Sequence, residues 1–168
     1  MPTVKNEGFT IIEIVVTIGI ILVLLGISFS GYATVSRRQK LTTSGQNLKN
    51  MLRDVQSRAY NGEVDCSVCD CDVDSQVFFE GWLVDFNNRE FFGSCNGNQY
   101  LLTKLGIDPE VNISANPWVT RFSDDPPGID EDSVICLYLD DLPGRFYGIN
   151  ISRSGDISDS GGIATSCP

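Results

Sequence analysis

Three textures follow one another along the chain. From Phe9 to Phe29 the residues FTIIEIVVTIGIILVLLGISF are apolar almost without interruption, and Glu13 is the one charge among 21 positions. A helix of that length rises about 31 Å, close to the hydrocarbon thickness of a bilayer, so the run predicts a transmembrane helix. A secretory signal peptide would carry a basic start, a shorter apolar core and a small-x-small cleavage site instead. The second texture is an amphipathic helix. Leu41, Leu48, Leu52, Val55 and Ala59 step by 7, 4, 3 and 4, the spacing of one helical face. Thr42-Thr43-Ser44-Gly45 reads as the weak point of this helix, and Asn61-Gly62 as its stop.

Beyond Gly62 the helical period gives way to short alternating runs punctuated by Gly, Asn and Pro. Gln76 to Phe86 and Arg89 to Cys95 predict a hairpin through Asn87-Asn88, and Ser133 to Leu139 predicts a buried strand. Tyr147 to Ser152 and Asp156-Ile157 predict a second hairpin around Arg153-Ser154-Gly155. Gln99 to Leu105 and Val119 to Phe122 are weaker strand signals. About 110 residues make a modest core if the amphipathic helix closes one side of the sheet.

The 168 residues hold 12 Lys and Arg against 22 Asp and Glu, a net charge of −10, and no histidine. Histidine-based acid–base catalysis, histidine triads and histidine-ligated metals are thereby excluded. Charge is sorted along the chain. Residues 37 to 58 carry Arg37, Arg38, Lys40, Lys49, Arg53 and Arg58 against Asp54 alone, whereas residues 59 to 168 hold 19 acids and 5 bases. Two readings of the six cations stand side by side: a solvated helix face, or a groove facing acidic surfaces of adjacent subunits. The acidic C-terminal part disfavours nucleic-acid binding.

Cys66, Cys69, Cys71, Cys95, Cys136 and Cys167 all fall in the acidic block, and an even number there predicts up to three disulfides among 15 pairings. The C-x-x-C-x-C cluster lacks a second C-x-x-C or a histidine to complete a metal site, so no metal and no cofactor are expected. Asp70-x-Asp72-x-Asp74 opens like a calcium loop, but Ser75 and Gly81 stand where the turn glycine and the bidentate glutamate belong. Asp124-Asp125-Pro126-Pro127-Gly128 and Asp130-Glu131-Asp132 read as acidic, solvated loops. No G-x-S-x-G elbow or phosphate-cradling glycine loop is present, and no catalytic residue is assigned: the chain is not expected to be an enzyme.

Gly8-Phe9-Thr10-Ile11-Ile12-Glu13, after a short leader with Lys5 and before the apolar run, resembles the prepilin cleavage and N-methylation signal of type IV pilins, type II secretion pseudopilins and their competence relatives. The resemblance implies cleavage by a prepilin peptidase between Gly8 and Phe9, methylation of Phe9, and an assembly role for Glu13 toward the N-terminal ammonium of a neighbouring subunit. Leu48 to Gly62, Gly81 to Phe86 and Ile149 to Ile157 are similar to H-type minor pseudopilins and FimT-like minor pilins. The implied fold is α+β and pilin-like, a long N-terminal helix with a transmembrane half and an amphipathic half packed on antiparallel β-sheet. Its parts are a leader over 1–8, a membrane and assembly helix over 9–29, an amphipathic continuation over 30–62 and a disulfide-bonded β-rich domain over 63–168. Many pilins staple their C-terminal segment, which implies Cys136 with Cys167 and leaves Cys95 to the 66–71 cluster.

The implied function is a structural minor subunit of a type II secretion pseudopilus or its tip, supporting protein secretion. Its partners would be other pilin or pseudopilin subunits, the prepilin peptidase and an inner-membrane assembly platform. It would sit as a single-pass protein of the inner membrane with the C-terminal domain outside. The count of Lys and Arg flanking the apolar run favours the opposite orientation, but the cleavage signal and the cysteines outweigh it. A minor type IV pilus subunit for adhesion or DNA uptake is one alternative. A membrane-anchored extracytoplasmic binding domain or enzyme is the other.

Overall fold

The computed structural model describes residues 10–69, 71, 79–124 and 127–167, with the side chains of 27–31 set aside. The chain divides into two units, Met1–Ser36 and Arg37–Pro168. Helix α1 (Ile11–Tyr60) contributes residues to both.

In the second unit the body is predominantly antiparallel β-structure. Its strands are β1 (Phe79–Asp85), β2 (Glu90–Cys95), β3 (Asn98–Lys104), β4 (Asn112–Asn116), β5 (Val119–Asp124), β6 (Pro127–Ile129), β7 (Ser133–Tyr138), β8 (Phe146–Ile151) and β9 (Ile157–Ala164). They form a five-stranded sheet in the order β3-β2-β1-β5-β6 and a four-stranded sheet in the order β4-β7-β8-β9. A short helix α2 (Cys66–Cys69) lies between α1 and the first sheet in sequence.

This corrects the expected fold. The α+β pilin-like architecture with a transmembrane half is replaced by a mostly β body of two sheets. Among the described residues no helix is long and apolar enough to cross a membrane. Crossing a hydrocarbon core of about 30 Å takes about 20 consecutive predominantly apolar helical residues, and no stretch of the described residues supplies them. The expected single-pass location in the inner membrane is corrected on the same ground.

The core of the second unit forms where one stripe of α1 meets inward strand positions. Leu41, Leu48, Leu52, Val55 and Ala59 are fully buried, together with Trp82, Val84 and Phe122 from the first sheet and Ile135, Leu137 and Ile149 from the second. Each such aliphatic side chain contributes about 1.5–3 kcal/mol by leaving water, and the 3.6-residue period is what brings the five helical ones to one side. Gly45, read from sequence as part of a weak point, lies inside the continuous helix with the Tyr147 ring against it; a Cβ there would fall 2.3 Å from that ring. The glycine is a contact surface for a buried aromatic.

Helix α1 stops at Tyr60 by a Schellman arrangement: Glu63 N–H donates to the Arg58 carbonyl and Gly62 N–H to the Ala59 carbonyl, both at 3.0 Å. Gly62 takes φ +60, a left-handed conformation in which a Cβ would be strained. Past the cap, the Glu63 carbonyl accepts bonds from Trp82 Nε1 at 3.1 Å and Tyr100 OH at 2.8 Å. The helix exit is thereby fixed to β1 and β3.

The six cysteines form three disulfides: Cys66–Cys71, Cys69–Cys95 and Cys136–Cys167. Their sequence separations of 5, 26 and 31 matter, because closing a longer loop removes more entropy from the unfolded chain. On that account the first contributes about 2 kcal/mol and each of the others about 3.5 kcal/mol.

Candidate functional site

Within the first unit, the candidate surface is the apolar flank of α1. Ile11 is 84% exposed and Leu22 64%, and the large apolar side chains between Ile11 and Leu25 are all about half exposed or more. Val16, Gly19, Ile20, Val23 and Leu24 line an open groove along one side. Their spacing of three and four residues is that of a single helix face, and Gly19 lowers its floor because a hydrogen replaces a side chain there. So much exposed apolar area is costly in water, and surfaces of this kind mark sites covered by another molecule.

Glu13 stands in the first turn of α1 and is exposed. Its N–H donates to the Thr10 carbonyl at 3.1 Å and lies 3.4 Å from Thr10 Oγ1. Thr10-Ile11-Ile12-Glu13 therefore has the sequence and part of the geometry of a capping box, with an acid in the turn where helix dipoles favour one. Sequence reading assigned Glu13 to assembly alone; the T-x-x-E spacing was the signal for its second, local role. Gly8 and Phe9, the expected cleavage and methylation positions, lie outside the described residues, as do Asp70, Asp72 and Asp74.

The basic block of α1 does not present its cations as a free groove. Arg37 pairs with Asp141 at 2.7 Å, Lys40 with Glu110 at 2.6 Å and Asp108 at 3.2 Å, and Lys49 with Asp159 at 2.7 Å. Arg58 pairs with Asp54 and Glu63 and places its guanidinium 5.3 Å from the Trp82 ring centre. Arg38 and Arg53 are exposed. Four of the six cations thus meet acids of this chain, which corrects the idea that they await neighbouring subunits. Lys40 is held above its ordinary range, first by Glu110 and then by Asp108. Asp108 is held low, first by the Glu110 backbone N–H.

A part-buried polar cluster joins α1 to the second sheet. Lys49 Nζ and Tyr147 OH both donate to Asp159 Oδ2, at 2.7 and 2.9 Å, and Gly161 N–H donates to Oδ1. Lys49 first, then Tyr147 and the Gly161 backbone, hold the Asp159 carboxyl down to about 2. Burial pushes the phenols of Tyr147 and Tyr100 up to about 12. The cluster clamps β9 and β8 to the helix.

These shifts set the pH dependence. Asp159 contributes about 2 kcal/mol that is complete above about pH 4 and is lost as pH falls toward 2. In Asp159→Asn this acid-side change disappears, read as the difference in urea midpoint between pH 5 and pH 2. The two raised phenols act at the other end: their contribution holds below pH 10 and is lost as pH rises toward 12. Absorbance at 295 nm is expected to show two of the five tyrosines ionising about two pH units late in the folded protein.

The outer face of the five-stranded sheet carries a second, smaller apolar patch. Leu83 pairs across with Phe92 on β2 and Arg121 on β5, on the side opposite core residues Trp82 and Val84. Phe92 is only 7% exposed yet stands apart from the main core. Leu101 and Leu102, about half exposed, come from the β3 bulge where Leu101 adopts φ +52. Trp118 and Val119, also nearly half exposed, follow the cis Asn116-Pro117 bond.

Asp130, from the acidic loops, receives the Arg121 guanidinium at 2.9 Å, and Asp132 accepts the Arg153 N–H. The segment Asp130-Glu131-Asp132 is thus tied into the body by side-chain and backbone bonds. No protein-family model, curated protein or solved structure matches the chain.

Proposed function

We propose that this chain is a structural minor subunit of a pilin-like filament, of the pseudopilus type that supports protein secretion. It would be cleaved after Gly8 by a prepilin peptidase, methylated at Phe9 and assembled with related subunits on an assembly platform. The observation that carries this reading is the apolar flank from Ile11 to Leu25, exposed along its length and headed by the exposed Glu13. Helices of the same kind packed side by side would remove that area from water, and hydrophobic packing needs no catalytic group. Glu13 supplies a negative charge where the ammonium of a processed neighbouring terminus would otherwise be unpaired. The motif Gly8-Phe9-Thr10-Ile11-Ile12-Glu13 supports the same processing.

Two measurements test it. Coexpression with a prepilin peptidase is expected to yield an N-terminal peptide beginning at methylated Phe9; an intact Met1 or Pro2 terminus with an active peptidase present overturns the reading. Glu13→Gln separates assembly from helix capping, because glutamine serves a capping box but carries no charge. Glu13→Gln is expected to lower photo-crosslinking from Ile20 to neighbouring subunits about tenfold, equivalent to about 1.4 kcal/mol. Wild-type crosslinking in Glu13→Gln would reduce the residue to a cap.

A further inference from the structure

The three disulfides differ in how a thiol can reach them. Cys69 is 1% exposed and Cys95 fully buried, so neither sulfur of that pair meets solvent. Cys136 is 3% exposed, while its partner Cys167 is at the surface. Attack on the Cys167 sulfur would expel the thiolate of Cys136 into the protein interior, where an unsolvated anion is disfavoured. Cys66 and Cys71 are both exposed. Either sulfur of that pair accepts a nucleophile, and either departing thiolate emerges into water.

Opening this bond leaves the surrounding structure tethered. The turn into α2 is held by Asp65, whose Oδ1 accepts Ser67 N–H at 3.0 Å and Ser67 Oγ–H at 2.6 Å, and whose carbonyl accepts Cys69 N–H at 2.9 Å. The end of α2 stays fastened to β2 through Cys69–Cys95. Trp82 and Tyr100 keep their bonds to the Glu63 carbonyl just upstream. A separation of only 5 residues also keeps the two thiols near each other after reduction, so the bond reforms readily when an oxidant returns.

We propose that Cys66–Cys71 is an exchangeable thiol–disulfide site, opened and closed by dithiol oxidoreductases while Cys69–Cys95 and Cys136–Cys167 hold the fold. A thiolate of the dithiol attacks the sulfur of Cys66 or Cys71. The cysteine S–S bond breaks, a mixed disulfide forms, and the electron pair leaves on the other cysteine sulfur, which takes up a proton from water. The second thiol of the reductant, as thiolate, then attacks the reductant's own sulfur in the mixed disulfide; that S–S bond breaks, the attacked cysteine leaves as a thiolate and takes up a proton, and the reductant departs as the oxidised disulfide. Two electrons and two protons pass from the dithiol to the cysteine pair. The site is independent of the filament reading, since it rests on exposure and connectivity within the β body.

The experiment is differential alkylation of the full oxidised chain during titration with dithiothreitol in native buffer, read by peptide mass, with far-ultraviolet circular dichroism followed in parallel. Cys66 and Cys71 are expected to label about tenfold or more faster than the other four cysteines, with the β-sheet signal unchanged. A purified C-x-x-C oxidoreductase in its reduced form is expected to give the same order. The variant C66S/C71S is expected to keep the wild-type spectrum and lose the fast labelling step. Simultaneous opening of all three bonds, prior opening of Cys69–Cys95, or loss of sheet signal together with Cys66 labelling would each overturn the proposal.

Discussion

Trp82→Ala is expected to destabilise the β body by about 3–5 kcal/mol, the range for removing a large aromatic from a closed core. The side chain is fully buried on β1. Its ring meets Tyr100 edge-on at 5.6 Å and Phe91 at 6.3 Å, and it carries the Arg58 guanidinium over one face. Its indole N–H also shares the Glu63 carbonyl with Tyr100 at the exit of α1. Alanine therefore opens a cavity at the junction of helix cap and first sheet, and leaves two aromatic neighbours without a partner. Trp82→Phe retains most of the apolar volume and loses the bond to Glu63, so a smaller cost of about 1–2 kcal/mol is expected. Urea unfolding of the two variants separates the packing contribution from the hydrogen bond; equal losses would show that the cap, not the core, carries the effect.

The residues around Trp82 illustrate which parts of the structure were legible. The buried stripe Leu41, Leu48, Leu52, Val55 and Ala59 follows from local helical periodicity, which needs no knowledge of its partner. The turn at Asn87-Asn88 was legible too, for a local reason: Asp85 Oδ1 accepts both asparagine N–H groups. Strand β4, with the sequence NISAN, was not anticipated, because Ala115 is its one buried residue and its pairing with β7 is remote in sequence. Strand β6 is only three residues, Pro-Gly-Ile, and most of β9 is Ser, Asp and Gly, a composition that reads as loop. The division into two sheets depends on these long-range pairings, as does the fate of the helix cations. Arg37, Lys40 and Lys49 reach acids 104, 70 and 110 positions away, so their partners could not be read from neighbouring charge. The membrane half rested on the length and apolar character of the run from Phe9 to Phe29, and among the described residues no helix is long and apolar enough to cross a membrane.

Cys136→Ser with Cys167→Ser is expected to cost about 3–4 kcal/mol, and the manner of the loss follows from topology. Cys136 lies on β7 at the interior of the second sheet, whereas Cys167 comes just after β9, which is the edge strand of that sheet. The bond thus holds the end of a polar, glycine-containing strand that buries little apolar surface of its own. That same strand supplies Asp159, on which Lys49 of the helix and Tyr147 of β8 converge. If the disulfide keeps β9 in register for this clamp, its removal should take part of the Asp159 contribution with it. Combined with Asp159→Asn, the cysteine variant should then lose about 1–2 kcal/mol less than the sum of the separate losses. The acid-side stability change between pH 5 and pH 2 should shrink in the cysteine variant as well, since Asp159 would be held less firmly below its ordinary range. Strict additivity, with an unaltered pH profile, would mean that the strand keeps its register through backbone pairing to β8 alone and that disulfide and clamp stabilise the body independently.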